Sequence, residues 1–373
     1  ALGIQDSGGI TVLEKLLHEL KISSYDYVMV FNKNSNIEEL VDKFKSNKKF
    51  KFIVTNNRGF LYRLYYENII FRMLVKEEDI DLVCNFSGTT QFFLKLPQIT
   101  KVHNLLFYSK KLDEVYFNKR EYRKWFVQIF LKRLVFHTML KQAKYVEIQS
   151  RHIKNPISDF IDISHKKFYI KSDICIEEQF FLKPKQYDSS KKIRLLYIVG
   201  PHFQYLHKNL EDFVKVANTL QKDNFDFEII VTLTKEQLDS SSLWDKSLDD
   251  KTTFLGYISR DEMQKQFQNN TILVSTSIIE TLGLHVIEAI QNGILAIVPN
   301  EKYSIDVYGN NILTYTLFDT NTLKDRIKEA SALDGEQIGL MIKKNQKYLI
   351  QNERNKHHSI TSVFDVILRG GNV

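Results

Sequence analysis

Hydrophobic residues follow two alternating patterns along this chain: short continuous apolar runs, and longer stretches with the spacing of an amphipathic helix. The clearest example begins with the apolar run at residues 271–277 and passes through a small polar loop to Gly283, where helical spacing starts. Gly293 ends that helix, and residues 294–298 form a second apolar run, as expected for a strand covered on both faces. The pattern predicts a strand–helix–strand unit of a parallel sheet.

The same alternation runs through the rest of the chain. In the first half, apolar runs predict strands at residues 25–32, 50–55, 82–86, 99–104, 144–150 and 167–174. Helical spacing there predicts helices at residues 10–20, 37–44, 60–74 and 119–143. In the second half, further strands are predicted at residues 193–199, 227–232, 252–255 and 312–317. Further helices are predicted at residues 210–220, 263–267, 323–330 and from 337 onward.

Strands that alternate with helices are typical of α/β domains with a parallel sheet. The polar segment 184–192 contains few apolar residues and lies between two predicted strands, so it is the best candidate for a linker. We therefore predict two Rossmann-like domains facing a cleft, at residues 1–183 and 193–354. The last helical stretch, within residues 355–373, is expected to cross back to the first domain.

Composition supports an ordinary globular protein. The 373 residues are enough for two domains, and a hydrophobic fraction of 43% is that of a folded chain. Cys84 and Cys175 lie in apolar segments and are expected to be buried thiols, not a disulfide or a metal pair. No stretch approaches the ~20 apolar residues of a membrane span. Because residues 1–6 also lack the features of a signal peptide, we expect a cytoplasmic protein.

A net charge of +7 at pH 7 favours an anionic partner. No nucleic-acid recognition motif accompanies this charge, so nucleic acid is not the expected partner. Residues 119–143 combine Lys and Arg with large apolar side chains, among them Arg123, Lys124 and Phe126. A basic amphipathic helix of this kind can lie on an anionic membrane, here the inner face of the plasma membrane. The alternative is a core helix with a solvated basic face.

Two features of the first half suggest a ligand site. Residues 1–4 have the pattern of a strand end, and Gly8 and Gly9 follow as a tight turn just before the helix at 10–20. Such a turn can direct backbone N–H groups at an anion, although two glycines are equally compatible with a plain turn. His103 falls at the end of the strand predicted at 99–104, where parallel sheets bind ligands. A purely structural histidine is the alternative at that position.

The strongest chemical signal lies in the second half. Glu280 and Glu288 stand on either side of the predicted helix start, too far apart to form a close acid–base pair. A carboxylate accepts hydrogen bonds from neighbouring sugar hydroxyls, and the N–H groups of Gly283 and Leu284 at the helix start suit a phosphate. Lys208 lies in the loop after the first strand of this half and could neutralise a diphosphate. One strand–helix–strand unit could thus hold both ends of a sugar nucleotide.

This stretch resembles the signature of family 4 glycosyltransferases, which have the GT-B fold. The signature has a Ser/Thr-rich strand end, a glutamate, a glycine turn, a second glutamate after seven intervening residues, an alanine and a later glycine. Here these positions are Ser275, Glu280, Gly283, Glu288, Ala289 and Gly293. Further segments are similar to other parts of the family pattern: Tyr197–Gly200 with Lys208-Asn209, Phe254–Ile258, Gly8-Gly9, and Val102-His103. The resemblance is strong in the second half and weak in the first.

The resemblance implies a retaining, metal-independent transferase with no cofactor other than a nucleotide-diphosphate sugar as co-substrate. Residues 193–354 would bind this donor, and residues 1–183 would bind the acceptor, a glycan or a lipid-linked glycan. Catalytic roles would fall to Glu280, which contacts the transferred sugar, to Lys208 at the diphosphate, and to His103 near the reacting carbon. The implied donor-binding residues are Gly8, Gly9, His202, Lys208, Tyr257, Ile258, Thr281, Leu282, Gly283, Leu284 and Glu288.

The sequence departs from the family pattern at one position. The family usually has an arginine soon after the glycine that corresponds to Gly200, whereas this chain has His202 and, further on, His207. A histidine in this loop could replace part of the arginine's role at the phosphate. Two other readings of the sequence stay open: a GT-B-like epimerase or phosphorylase, and a non-catalytic homologue that only binds sugar nucleotides.

Overall fold

The computed structural model divides the chain into two compact units. The first comprises residues 1–108, 126–175 and 356–373, and the second comprises residues 109–125 and 176–355. The structure describes residues 7–33, 35–56, 59–86, 88–171, 173–174, 176–200, 202–356 and 359–369. The strand end predicted at residues 1–4 and the thiol of Cys175 lie outside these ranges.

The first unit contains two parallel sheets. Strands β1 (Tyr27–Asn32) and β2 (Phe50–Thr55) pair with each other, and β3 (Val83–Asn85), β4 (Gln98–Val102), β5 (Tyr145–Ile148) and β6 (Lys167–Ile170) pair in chain order. A cavity of about 640 Å³ is lined by residues of β1 and β3. All six strands correspond to predicted apolar runs.

The helices of the first unit cover these sheets. Their bounds are Ser7–Leu20, Ser35–Phe44, Phe60–Tyr65, Phe71–Glu77, Leu131–Gln142, Lys154–Ser158 and Ile360–Leu368, with π-helical turns at Tyr66–Ile70 and Phe126–Phe130. Leu13, Leu17, Phe31 and Ile99 form one apolar core with the last helix, through Ile360 and its neighbours. The final helix therefore packs in the first unit, as predicted.

Two predictions for the first 143 residues need correction. The helix begins at Ser7, so Gly8 and Gly9 form part of its first turn and are not a turn that precedes it. Glycine is tolerated there because the first helical N–H groups lack partners in any helix. The helix predicted at 119–143 is present but begins three residues later, at Tyr122; a helix that was not predicted, Lys110–Asn118 of the second unit, ends before Arg120, whose φ of 57° is left-handed. The next helical segment starts at Tyr122 and continues through the π turn to Gln142.

A buried ionic cluster crosses the four-stranded sheet of the first unit next to His103. Lys101 on β4 stands opposite Glu147 on β5, and its ammonium donates to that carboxylate at 2.6 Å. The same ammonium contacts the carboxylate of Asp173, and all three side chains are almost fully buried. Burial opposes the charged form of Lys101, but the two carboxylates outweigh burial and raise its pKa. The cluster ties the carboxyl ends of neighbouring strands together.

The second unit has one six-stranded parallel sheet. Its strands are β7 (Ile193–Tyr197), β8 (Phe227–Val231), β9 (Thr252–Phe254), β10 (Thr271–Val274), β11 (Leu295–Pro299) and β12 (Leu313–Tyr315), in the order β12-β11-β10-β7-β8-β9. The helices around it are Leu210–Lys222, Lys235–Asp239, Arg260–Gln264, Leu284–Gln291, Lys302–Tyr308, Thr320–Ala332 and Gly335–Arg354. The observed sheets confirm the predicted α/β class.

The segment proposed as a linker, 184–192, lies inside the second unit. Tyr187 is 9% exposed, and its hydroxyl accepts from the backbone N–H of Leu295 at 3.0 Å and donates to the carbonyl of Thr271. Because Tyr187 bonds to both β10 and β11, this polar segment is fastened to the amino ends of the sheet. The division between the units falls at residue 175/176, eight residues before the end of the predicted first domain.

Candidate functional site

The candidate site lies where the strand order of the second sheet reverses. From β7 the chain proceeds outward through β8 and β9, and it then returns to the other side of β7 to form β10 and β11. Open parallel α/β sheets bind ligands at the carboxyl ends of the two strands that flank such a reversal. The loop after β7 carries Lys208 and the loop after β10 carries Glu280, so the topology brings both to this position.

Lys208 and Glu280 form a direct ion pair across 72 residues of sequence. The ammonium donates to Oε1 of the carboxylate at 2.8 Å, and the two side chains are 27% and 15% exposed. Burial alone would raise the pKa of Glu280, but the neighbouring charge and hydrogen bond of Lys208 outweigh it and lower the pKa to about 2. Glu280 is therefore a carboxylate at neutral pH, next to an ammonium that can also face an anionic ligand.

The backbone of the lysine loop is fixed from three directions. The carbonyl oxygen of Lys208 accepts from the hydroxyl of Tyr197 at 3.1 Å and from that of Thr276 at 3.0 Å. The N–H of Ile278 donates to the carbonyl of His207 at 2.8 Å. Asn209 then adopts a left-handed conformation, with φ at 49°, and the helix Leu210–Lys222 begins. The two loops of the site are thus bonded to each other through both backbone and side chains.

The helix start after Glu280 has the geometry that the sequence predicts. Gly283 has a left-handed φ of 57° and precedes the helix Leu284–Gln291. The hydroxyl of the buried Tyr308 donates to the carbonyl of Leu282 at 2.9 Å, on the inner side of the turn. The N–H groups of Gly283 and Leu284 donate to no residue within the described ranges. Such unbonded N–H groups at a helix start suit an anion.

His285 belongs to this site, although the sequence alone did not identify it. It is the second residue of the helix, and its Nε2 lies 3.0 Å from the hydroxyl oxygen of Ser275 at the end of β10. Burial lowers the pKa of His285 to about 4, and the carboxylate of Glu280 opposes this shift without cancelling it. A neutral imidazole therefore stands beside the ion pair at neutral pH. The one feature of the sequence that could have identified His285 is its position two residues after Gly283, at the start of the helix.

The loop before Lys208 is rich in aromatic side chains where the resemblance led us to expect an arginine. The rings of His202 and Tyr205 stack with centroids 5.1 Å apart, and Tyr205 also contacts the ring of His207. Burial, followed by the charge of Lys208, lowers the pKa of His207 to about 4. His207 is therefore uncharged at neutral pH and supplies no positive charge in place of the arginine.

The stability of the protein should decrease as the pH falls from about 6.5 to 4. In the unfolded chain His207 and His285 have ordinary pKa values near 6.5, whereas in the fold both values are about 4. Between these values the unfolded state binds protons that the folded state does not, so protonation favours unfolding. Glu280 acts in a lower window, because its contribution is present above its ordinary pKa and is lost as the pH approaches 2.

The measurement is urea denaturation at several pH values, for the wild type and for His285→Gln. The variant should show a smaller decrease of the unfolding free energy between pH 6.5 and 4. An identical pH dependence in both proteins would show that His285 is not buried in its neutral form. His165→Gln is a control, because that histidine lies on an exposed loop of the other unit.

The other predicted site residues fall at different positions. Tyr257 follows Gly256, which has a φ of 66°, and its side chain is 86% exposed beyond the end of β9, next to Ile258. Glu288 lies in the second turn of the helix after Gly283 and is half-buried. His103 follows β4 in the first unit and is exposed. The roles of these residues stay predictions, as do those of Gly8, Gly9, His202 and Thr281.

Two kinds of feature are absent from the part of the chain that the structure describes. No group of three or more His, Cys, Asp or Glu side chains there could hold a metal ion. Within the same residues, no helix combines the length and the apolar character needed to cross a bilayer.

Comparison with known proteins agrees with the site. Residues 182–356 match the family model described as "Glycosyl transferases group 1". This range contains both loops of the candidate site. The chain is also 23% identical over 278 residues to the O-antigen chain mannosyltransferase RfbU of Salmonella typhimurium, an alignment that covers 74% of this chain and 72% of that protein.

Solved structures extend the likeness to the whole chain. A glycosyltransferase from Rickettsia africae has a TM-score of 0.62 at 14% identity, with 99% of this chain and 94% of that chain covered. Anabaena HepE, crystallised with UDP and glucose, has a TM-score of 0.66 at 12% identity, with 99% and 97% covered. The fold is GT-B. At these identities the likeness establishes the architecture alone, so the chemistry has to be argued from the site.

Proposed function

We propose that this protein is a retaining glycosyltransferase that moves a sugar from a nucleotide-diphosphate sugar to a glycan or lipid-linked acceptor. The main support is the ion pair of Lys208 and Glu280, which lies beside a helix start with unbonded N–H groups. A cation and free amides suit a diphosphate, and a carboxylate suits sugar hydroxyls. The match of residues 182–356 to group 1 glycosyltransferases supports this reading.

Each part of the donor is bound by a different set of residues. Lys208 and the N–H groups of Gly283 and Leu284 bind the diphosphate, and Glu280 accepts hydrogen bonds from the transferred sugar. Glu288 binds the ribose, and the segment around Tyr257 packs on the base. The ammonium of Lys208 bonds to Glu280 in this structure. When the donor binds, the same ammonium contacts both the carboxylate and the phosphates.

The reaction needs stabilisation of a leaving diphosphate more than it needs a protein nucleophile. The bond between the anomeric carbon and the diphosphate oxygen breaks, and the acceptor oxygen bonds to the same face of that carbon, which retains the configuration. The acceptor proton passes to the departing phosphate oxygen. Lys208 and the helix N–H groups stabilise the charge that develops there, a form of electrostatic catalysis that requires no metal ion. Hexoses or N-acetylhexosamines are the proposed sugars.

The relatives suggest where the product goes. RfbU is an O-antigen chain mannosyltransferase, and another solved structure of similar fold is the lipopolysaccharide outer core galactosyltransferase WaaB, at 16% identity. We infer that this chain takes part in the assembly of a bacterial surface polysaccharide, on the cytoplasmic side of the plasma membrane.

A donor panel tests the proposed function. Thermal unfolding is measured with UDP-, GDP-, dTDP- and CMP-sugars, followed by an assay for free nucleotide with and without a lipid-linked glycan. One nucleotide class should raise the unfolding temperature by several degrees, because a ligand that binds the folded state stabilises it. The same class should release nucleotide when the acceptor is present. Conversion of the sugar without release would instead indicate an epimerase, and binding without turnover a non-catalytic homologue.

We further propose that the helical segment Tyr122–Gln142 contacts the anionic inner face of the membrane. It contains no acidic residue, and Phe126, Val127 and Leu131 are exposed on it. Basic and aromatic side chains together favour an anionic interface.

The charge reversal Arg123→Glu with Lys124→Glu should release the protein from vesicles that contain phosphatidylglycerol. Each lysine or arginine near such a surface contributes roughly 1 kcal/mol, so the double reversal should lower binding by more than tenfold. Vesicle sedimentation measures the effect. Lys265→Glu, at the end of another helix of the second unit, is a control for a single charge reversal elsewhere in that unit. Equal binding of the double variant and the wild type would reject a membrane contact at this position.

A further inference from the structure

A second exposed apolar stripe lies on the helical stretch between Phe60 and Glu77. Its members follow one another at intervals of four residues: Leu61, Tyr65, Ile69 and Met73. Their exposed fractions are 80%, 53%, 50% and 58%. A contiguous row of large, exposed apolar side chains on one helix indicates a surface that binds a protein or a membrane.

The π turn at Tyr66–Ile70 aligns this stripe. In a regular α-helix the 12 residues from Leu61 to Met73 would turn the stripe by about 120° around the axis. Here the N–H of Phe71 bonds to the carbonyl of Tyr66, five residues back, so one residue is accommodated as an insertion. Without the inserted residue, about 11 steps of roughly 100° separate Leu61 from Met73, which is three full turns plus about 20°. The four side chains therefore stay on one face along the whole helix.

The π turn is held in place by the loop after β3. The carboxylate of Glu67 accepts from Arg63 at 2.8 Å and from the hydroxyl of Thr89 at 3.2 Å. The next side chain, Asn68, accepts from the N–H of Phe92 at 2.9 Å. Glu67 and Asn68 thus both bond to the same loop. In a regular α-helix, consecutive side chains point about 100° apart, so neighbouring residues seldom reach the same loop. The hydrogen bonds of Glu67 and Asn68 to this loop fix the π turn, and the π turn keeps the exposed stripe on one face of the helix.

The loop that holds the turn also joins the stripe to the basic helical segment in the first unit. The hydroxyl of Thr90 donates to the carbonyl of Met139 at 2.6 Å. On the same loop Phe93 is 85% exposed, with the guanidinium of Arg72 over its ring. On the segment beyond the loop, Lys132 and Lys141 are exposed and make no ion pair within the described ranges. The exposed apolar stripe and these cations belong to the same unit, and the combination fits an anionic lipid surface better than it fits water.

We propose that Leu61, Tyr65, Ile69, Met73 and Phe93 form a second membrane-docking face, whose occupant is an anionic lipid bilayer. The aliphatic and aromatic side chains enter the interfacial layer, where the tyrosine hydroxyl can reach water or headgroups. The exposed lysines contact lipid phosphates, while Arg72 bonds the carbonyl of Phe92 and holds the ring of Phe93 in place. The proposal extends the proposed membrane contact to another helix, but vesicle binding does not depend on sugar transfer.

The test is vesicle flotation of the full chain carrying Ile69→Glu, with phosphatidylcholine vesicles that contain or lack phosphatidylglycerol. The bound fraction on anionic vesicles should fall at least about fivefold, because a charge would enter the apolar layer. Ile22→Glu is the matched control, since Ile22 is 80% exposed in the same unit but follows the helix Ser7–Leu20. That variant adds the same charge and should bind like the wild type. Met73→Glu should repeat the effect of Ile69→Glu.

Three outcomes would overturn the proposal. Wild-type binding of both stripe variants would show that the stripe does not touch lipid, and equal release of the Ile22 variant would show that only net charge matters. A change of Ile69→Glu from dimer to monomer in light scattering, with vesicle binding unchanged, would assign the stripe to a second copy of the chain. Donor-induced thermal stabilisation is measured on every variant. Its retention shows that the proposed transferase site stands whatever the vesicles report.

Discussion

Replacement of Glu280 by glutamine is expected to lower the rate of sugar transfer by about two to three orders of magnitude, as loss of one charged interaction in a preorganised site does. The substitution keeps the shape of the side chain but removes the charge that faces Lys208 at 2.8 Å. The lysine then lacks its partner in the free enzyme, and the transferred sugar loses a strong acceptor. Initial rates of nucleotide release with saturating acceptor measure the effect.

The matched control is Glu228→Gln. Glu228 pairs with Arg194 at 2.7 Å in the same unit, but both stand near the amino ends of β7 and β8, away from the Glu280 loop. This variant should transfer sugar at the wild-type rate. Thermal unfolding should show both variants folded. A Glu280→Gln protein with near-normal turnover would reject the catalytic role of Glu280 while leaving the fold assignment intact.

Substitution of Gly283 by alanine is expected to destabilise the second unit by about 3 kcal/mol and to abolish donor binding. The left-handed φ of 57° costs a residue with a Cβ about 1–2 kcal/mol. The added methyl group would also overlap the hydroxyl of Tyr308, which is fully buried and cannot move aside without disturbing its neighbours. Because the helix start would shift, its N–H groups would no longer meet the phosphates of the proposed donor. Urea denaturation and the donor-induced thermal shift measure the two effects.

A double variant separates overlap from backbone strain. Tyr308→Phe removes the overlapping hydroxyl, so it should cost stability in the wild type, where the hydrogen bond to Leu282 is lost, but restore part of it in the Gly283→Ala protein. Gly200→Ala should be tolerated, because the added Cβ would meet no atom within 4 Å. Additive effects of the two substitutions at 283 and 308 would contradict the steric explanation.

The sequence predicted the fold well wherever a single physical pattern dominated. The strand at Phe50–Thr55 has the predicted bounds, because buried parallel strands are recognisable as continuous hydrophobic segments. Five strands of the second unit lie within the predicted apolar runs, and β11 extends one residue beyond its run, to Pro299. The helix Lys110–Asn118 escaped prediction, as did the left-handed Arg120 that follows it, since no glycine or proline marks the end of that helix. The helix Lys302–Tyr308 was also missed, because it is short and its aromatic residues serve the Glu280 loop through contacts distant in sequence.

For the site, the sequence identified the two loops but not the contacts between them. Lys208 and Glu280 were each assigned to the donor, yet their direct pairing depends on the placement of β7 beside β10, which the strand order decides. His285 was missed because nothing in a single sequence distinguishes a histidine that bonds Ser275 from one that faces solvent. The buried charge of Lys101 was hidden for the same reason, since its carboxylate partners come from elsewhere in the chain.

The anchoring of Tyr187 has a practical consequence for anyone who wishes to express the second unit alone. A fragment cut at the apparent start of the second unit's first strand, Ile193, would remove this tyrosine. The carbonyl of Thr271 and the N–H of Leu295 would then lose their shared partner at the foot of two central strands. Residues 109–125 would be missing as well, although they belong to the same compact unit. A soluble fragment is better sought from residue 176 onward, with the 109–125 helix supplied on a second chain or joined by a designed connection.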